Sequence, residues 1–286
     1  MPLNYLARAR VLARSIKKYN SSAIFHLVLI APPGSYERFS LHQEPFDHIW
    51  YAKDFLTKDE EILFYTYDAL EVCGRMKPLG ALKIFEKVPE IKTLIHLDSD
   101  ISVYSSLNCI ENELQENSIL LTPHILRPNT LDSEIVFHEL SFLKAGILNT
   151  GFFAVKRDQY GINFLSWWWH RLKFYGEIDL SRGLFADQKW TDFTLSLFPK
   201  AKLILDPGVN VATWNLSERK VSVATTGKLI VNNKSPLKFF HFSGLDSGAH
   251  RKILARYASP GTPLWDISLT YEKELLEYGH ETLKKK

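Results

Sequence analysis

Asp98 and Asp100 stand one residue apart at the end of an apolar run, in the stretch 91–105 that reads IKTLIHLDSDISVYS. Two carboxylates so placed suit a hard divalent cation, which takes oxygen ligands and often bridges to phosphate oxygens. The run from Ile91 to Leu97 is short for a helix and reads as a buried strand, with Leu94, Ile95 and Leu97 in the core. In open α/β sheets, ligands bind just beyond the carboxyl ends of the strands. The competing reading is local: Asp98 and Ser99 cap a turn, and Asp100 is solvated. The pair alone does not separate the two.

Two further groups could join such chemistry. His241 lies in the apolar run Phe239–Phe242, three residues before Gly244. Taken alone, an imidazole there is more often a satisfied core residue than a ligand, but a glycine so near permits close backbone approach. Lys77 directly precedes Pro78 and could neutralise phosphate or orient a sugar; an ordinary surface lysine is the equal alternative.

The elements that would position these groups alternate between helix and strand. Tyr5–Tyr19 has Leu6, Ala9, Leu12, Ala13 and Ile16 at helical spacing, with Arg8, Arg10, Arg14, Lys17 and Lys18 on a basic outer side read as solvated. Residues 24–30 form an apolar strand stopped by Pro32, Pro33 and Gly34, and Phe46–Tyr51 is a short one. Thr57–Cys73 reads as a helix, Pro78 as the first residue of the next, and Pro89 as its end. Strands follow at Ser118–Thr122, Phe152–Val155, Leu203–Leu205 and Phe239–Phe242, with a long loop containing some helix at 124–140. Phe164–Phe174 is a helix with Trp167, Trp168 and Trp169 in a row, of which at most two can enter the core. Val221–Val223 and Leu229–Val231 flank a hairpin turn. The residues from about Asp266 read as an exposed helix with a lysine tail.

The predicted class is therefore α/β, a mainly parallel sheet flanked by helices with a small antiparallel addition. The chain of 286 residues, 45% hydrophobic and 23% charged, has material for one large core. A net charge of 35 − 32 = +3 gives no argument for a nucleic-acid partner. Two cysteines, Cys73 and Cys109, form no disulfide framework, so a reducing, cytoplasmic setting is expected. No apolar run is long enough to span a membrane, and the start lacks a signal-peptide core.

Five blocks in this order resemble the GT-A fold glycosyltransferases that use nucleotide sugars. The nearest likeness is the retaining family 8 group, with glycogenin and the bacterial lipopolysaccharide galactosyl- and glucosyltransferases. Asn4-Tyr5-Leu6 is similar to the segment whose Tyr packs on the uracil base. Leu97-Asp98-Ser99-Asp100 resembles the D-x-D that holds Mn²⁺ on the diphosphate. Asn149-Thr150-Gly151-Phe152 resembles the block beside the donor sugar, and Asp187-Gln188 the block next to the anomeric carbon. His241-Phe242-Ser243-Gly244 resembles the block whose His is the third protein ligand to the metal.

The resemblance implies a domain over 1–265 and a helical tail over 266–286. It implies Mn²⁺ (or Mg²⁺) on Asp98, Asp100 and His241, a mixed donor set that favours Mn²⁺. Asn4, Tyr5, Lys77, Ser99 and Gly244 would bind the nucleotide. Asn149, Thr150, Gly151, Asp187 and Gln188 would bind the donor sugar, the last two as catalytic residues. Asp187 could instead cap the helix that follows. The partners would be a UDP-sugar and a saccharide or glycolipid acceptor, in polysaccharide biosynthesis, with peripheral contact to the inner face of the membrane as an added option.

The pattern departs from the family twice. The family has a strand before its N-Y segment, whereas Met1-Pro2-Leu3 precede Asn4 here, so a missing first strand is expected. Ser247 stands where the family places a phosphate-binding Lys; His250 or Arg251 could replace it. Two rivals remain. One is a haloacid-dehalogenase-like phosphoryl-transfer enzyme with Asp98 as nucleophile, which needs a later acidic pair that is not found. The other is a non-catalytic nucleotide-sugar-binding relative. Acceptor choice would lie in the loops at 124–140 and 206–220.

Overall fold

A computed structural model of the chain describes residues 1–30, 43–62 and 66–284. The expected stop at Pro32, Pro33 and Gly34 lies outside them. The class is α/β, as the alternation predicts. Thr93–Leu97, Leu148–Lys156, Ile119–Pro123 and Ala201–Leu203 form a four-stranded sheet in that order. Leu148–Lys156 runs antiparallel to both neighbours, and Ile119–Pro123 runs parallel to Ala201–Leu203. A second sheet pairs Val211–Ala212, Phe239–His241 and Ile101–Val103. His26–Leu29 and His48–Tyr51 form a parallel pair of their own. The hairpin Val221–Val223 with Leu229–Val231 is present as read.

The core lies where the sheets meet the helices. Trp168 is fully buried on the Gln159–Tyr175 helix, edge-on to Phe153 at 5.3 Å. Trp167 and Trp169 pack at the margins of two different clusters. Burying one such aromatic contributes roughly 1.5–3 kcal/mol or more.

Tertiary packing overrode local readings in four places. Thr57–Cys73 is not one helix: Thr57 caps a short turn at Lys58–Glu61, and Asp68 caps a new helix, Ala69–Lys87. Pro78 lies inside that helix rather than opening it. Asp68 accepts from the Glu71 amide at 2.9 Å, and Val72, Met76 and Leu79 bury one continuous face. That burial offsets the ~3 kcal/mol a mid-helix proline costs. Leu94, Ile95 and Leu97 are half-buried rather than core, because one edge of their strand faces a cavity of about 940 Å³. Leu27 and Val28 line the same cavity from the neighbouring pair of strands, and Pro2 makes one parallel bridge to Ile30. Finally, the helix Pro263–Glu277, read as an exposed tail, buries Leu264, Ile267, Tyr271 and Leu275. Tyr271 stacks on Phe242 at 3.8 Å.

Two buried histidines make the fold acid-sensitive. Burial pushes His124 and His250 down to about 4, against about 6.5 in an unfolded chain. Between those values the unfolded chain binds more protons. Their stabilising share is therefore complete above pH 6.5 and is lost as pH falls towards 4. Urea unfolding should show a loss on the order of 2 kcal/mol per histidine at pH 5 relative to pH 7. Equal stability at both pH values would contradict this.

Candidate active site

The turn after Thr93–Leu97 brings the two acids to the cavity mouth. The Ile101 amide donates to the Asp98 carbonyl at 3.1 Å, and the chain then pairs with Phe239–His241. In that register His241 lies opposite Ile101, and the Phe242 amide donates to the Asp100 carbonyl at 2.8 Å. The result is local: His241 Nε2 lies 3.0 Å from Asp100 Oδ1, with both side chains largely buried. One ligand atom from each of Asp98, Asp100 and His241 falls within 4.8 Å of the others. These two carboxylates are not the solvated residues of an ordinary turn.

Next to them, Asn149, Thr150 and Gly151 sit inside the Leu148–Lys156 strand, not ahead of it as the sequence suggests. The Asp98 amide donates to the Gly151 carbonyl at 2.8 Å. A Cβ on Gly151 would lie 2.4 Å from His241 Cε1, so glycine is what lets the imidazole lie against the sheet. Thr150 Oγ1 donates to Asp187 Oδ2 at 2.6 Å.

Lys77 joins the two groups of acids. The helix Ala69–Lys87 turns Cys73, Gly74, Lys77 and Gly80 towards the cavity at three- and four-residue spacing. Lys77 Nζ lies 3.2 Å from Asp98 Oδ1 and 3.1 Å from Asp187 Oδ2, and donates to the Thr150 carbonyl at 3.1 Å. It is no surface lysine. Burial works to lower its pKa, but Asp187 and Asp98 overcome that and raise it. Burial likewise opposes ionisation of Asp98; Lys77, then His96 and His241, pull it well below the carboxylate range. For His241, burial opposes the charge and Asp100 more than restores it, so its pKa is raised. Gln188 Nε2 donates to the Ala145 carbonyl at 3.0 Å, and Asn149 Nδ2 donates to Gln188 Oε1 at 3.3 Å.

Tyr5, Ser99 and Gly244 line the same cavity, with Lys77, Asn149, Thr150, Gly151, Asp187 and Gln188. Asn4 is not brought to it, although it shares the Leu3–Tyr5 turn. The cap reading of Asp187 fails, because its carboxylate bonds Thr150 and Lys77 and the following turn begins at Gln188.

No family model matches the chain. The YfnF protein of Bacillus subtilis (strain 168), itself uncharacterized, is 30% identical over 210 residues, covering 73% of this chain and 68% of that protein. The chain belongs to the YfnF family. YfnD of the same organism, also uncharacterized, is 26% identical over 226 residues, 77% of this chain and 68% of that one. Among solved structures, the galactosyltransferase LgtC in complex with donor and acceptor sugar analogs matches with a TM-score of 0.51 at 14% identity. That match covers 97% of this chain and 94% of LgtC. The fold of this YfnF-family chain is therefore GT-A.

Three contributors in this YfnF relative escaped the sequence reading. His96 donates through Nε2 to Asp98 Oδ1 at 3.1 Å and stacks on Phe153 at 4.7 Å. Strand alternation puts residues 96 and 98 on one face and could have flagged it. Asn210 is buried and donates to Asn149 Oδ1 at 3.0 Å from a left-handed backbone conformation. Arg8, placed on the solvated side of its helix, is instead 3% exposed. Helical periodicity marks the apolar face, but it cannot show that a second element covers the polar one. Among the described residues no helix is long and apolar enough to cross a membrane, and both cysteines are free.

Proposed function

We propose that the chain is a metal-dependent glycosyltransferase. It moves a sugar from a UDP-hexose to a saccharide or glycolipid acceptor with retention of configuration. The observation that carries this is the meeting of Asp98, Asp100 and His241, from two separate parts of the chain, beside the Lys77–Asp187 pair. The donor set fits a borderline divalent ion such as Mn²⁺: two carboxylates and one imidazole, mutually within 4.8 Å. His241 Nδ1 has no hydrogen-bond partner among the described residues, which leaves the ring held from its Nε2 side. Asp98, Asp100 and His241 would hold the ion. A cation bound there supplies Lewis-acid stabilisation of the leaving diphosphate.

The protein's own groups do the rest. Asp187, fixed by Thr150 and Lys77, accepts hydrogen bonds from donor-sugar hydroxyls. Gln188 is held by Ala145 through its amide nitrogen and by Asn149 through one lone pair of its carbonyl oxygen, and the second lone pair is left for a positive anomeric carbon. Lys77 keeps Asp98 ionised, pairs with Asp187 and adds positive charge beside the leaving group. Tyr5 offers a ring to the base. Asp98 has both oxygens already engaged by Lys77 and His96. Asp100 and His241, rather than a later acidic pair, complete its group, which favours a ligand over the nucleophile of a phosphoryl-transfer enzyme. Leu131, Val136, Phe137 and Leu143 are exposed on the segment that leads to Ala145. This apolar surface suits a glycolipid acceptor and peripheral membrane contact.

The test is a panel of UDP-sugars with Mn²⁺, read as UDP release, beside a phosphomonoester. UDP release that stops with chelator supports the reading. Turnover of the phosphomonoester with no nucleotide sugar consumed would overturn it.

A further inference from the structure

The cavity has to receive a diphosphate, yet the lysine beside its acids is committed. Lys77 already faces two carboxylates and a carbonyl. Arg8 brings another cation to the cavity wall. Arg8 is in the first turn of the Leu6–Tyr19 helix, is 3% exposed, and lines the cavity with Asp100, Ser243 and Gly244. Its guanidinium lies 4.3 Å from the centre of the Tyr5 ring. One nitrogen donates to Asp246 Oδ2 at 2.7 Å, and Nε has no partner among the described residues. A buried guanidinium with an unused N–H is unfavourable unless something else satisfies it.

A purely structural role would make Arg8 the clamp that holds Asp246. That clamp has other parts: His280 Nε2 lies 3.2 Å and Lys284 Nζ 3.9 Å from Asp246 Oδ1. Arg8 lies over the Tyr5 ring and lines the same cavity as Asp98 and Asp100, so phosphates joining a base on Tyr5 to a cation on the carboxylates would pass through the space it borders. A planar fork of N–H groups matches phosphate oxygens. We infer that Arg8 is a diphosphate-binding residue of this cavity, with Asp246 occupying its guanidinium until the ligand displaces it. The inference rests on the nucleotide-sugar reading.

Calorimetry with Mn²⁺ tests it, using UDP and UMP on the wild type, Arg8→Gln, Arg8→Lys and Asp246→Asn. Arg8→Gln should weaken UDP binding by between about 10- and 100-fold, the usual span for lost hydrogen bonds to a charged group. It should weaken UMP less, and Arg8→Lys should lie in between. Asp246→Asn should bind UDP as well as the wild type or better, because it frees the guanidinium. Equal losses in Arg8→Gln and Asp246→Asn would make Arg8 a clamp and overturn the inference. So would wild-type UDP affinity in Arg8→Gln. If Arg8→Gln does not fold, Arg8→Lys and Asp246→Asn decide by the same criteria. Failure of the wild type to bind UDP at all would instead remove the nucleotide-sugar reading beneath it.

Discussion

Asp98→Asn should lower Mn²⁺-dependent consumption of UDP-sugar by about 10³-fold or more, and Asp100→Asn should do the same. A metal-bound leaving group draws several kcal/mol of charge stabilisation from its ion, and each 1.4 kcal/mol or so is tenfold in rate. Asparagine keeps the shape and one acceptor oxygen but gives up the charge that holds the ion. The fold should survive, because both carboxylates sit in a turn at the cavity and the core lies behind them. Circular dichroism and a thermal melt establish that the variants are folded; initial rates against Mn²⁺ concentration give the result. Unchanged metal dependence in both variants would contradict the assignment.

Lys77→Met should lose both activity and stability. Its ammonium lies 3.2 Å from Asp98 and 3.1 Å from Asp187, and it is 11% exposed. Removing one partner of a buried pair typically costs about 3–5 kcal/mol. Asp98 is 30% exposed, so solvent screens part of that, and about 2 kcal/mol is the expected loss. Mn²⁺ should restore part of the melting temperature, since an ion on Asp98 and Asp100 supplies the positive charge the variant lacks. Turnover should stay low in Mn²⁺, because Asp187 no longer has its cation. A variant with wild-type melting temperature and rate would show that Lys77 does no more than fill space.

These results would come from residues whose chemistry was legible in the sequence to different degrees. Asp98 and Asp100 could be found because their spacing and the apolar run before them are local features. His241 could not be placed by such means. Its neighbours are Phe239, Phe240 and Phe242, and it reads as core until the strand pairing sets it opposite Ile101. Lys77 gave no signal beyond its neighbour Pro78, since its role depends on carboxylates 21 and 110 positions away. Arg8 was misread for the same reason: the loop at Asp246 and the helix end at His280 cover a face that helical spacing marks as polar. The Pro263–Glu277 helix looked exposed because its partners, Phe242 and the Leu6–Tyr19 helix, lie far away in sequence. The α/β class was readable throughout, as it follows from alternation along the chain. Which strands pair is set by long-range contacts, which a single sequence does not display.

The central claim is that Asp98, Asp100 and His241 share one cation that a nucleoside diphosphate also binds. Calorimetric titration of UDP into wild type and His241→Ala, each with Mn²⁺ and with chelator, tests it most directly. Wild type should bind UDP tightly in Mn²⁺ and weakly in chelator. His241→Ala should bind weakly in both, because each ligand binds through the other. Wild-type, Mn²⁺-dependent UDP affinity in His241→Ala would contradict the account.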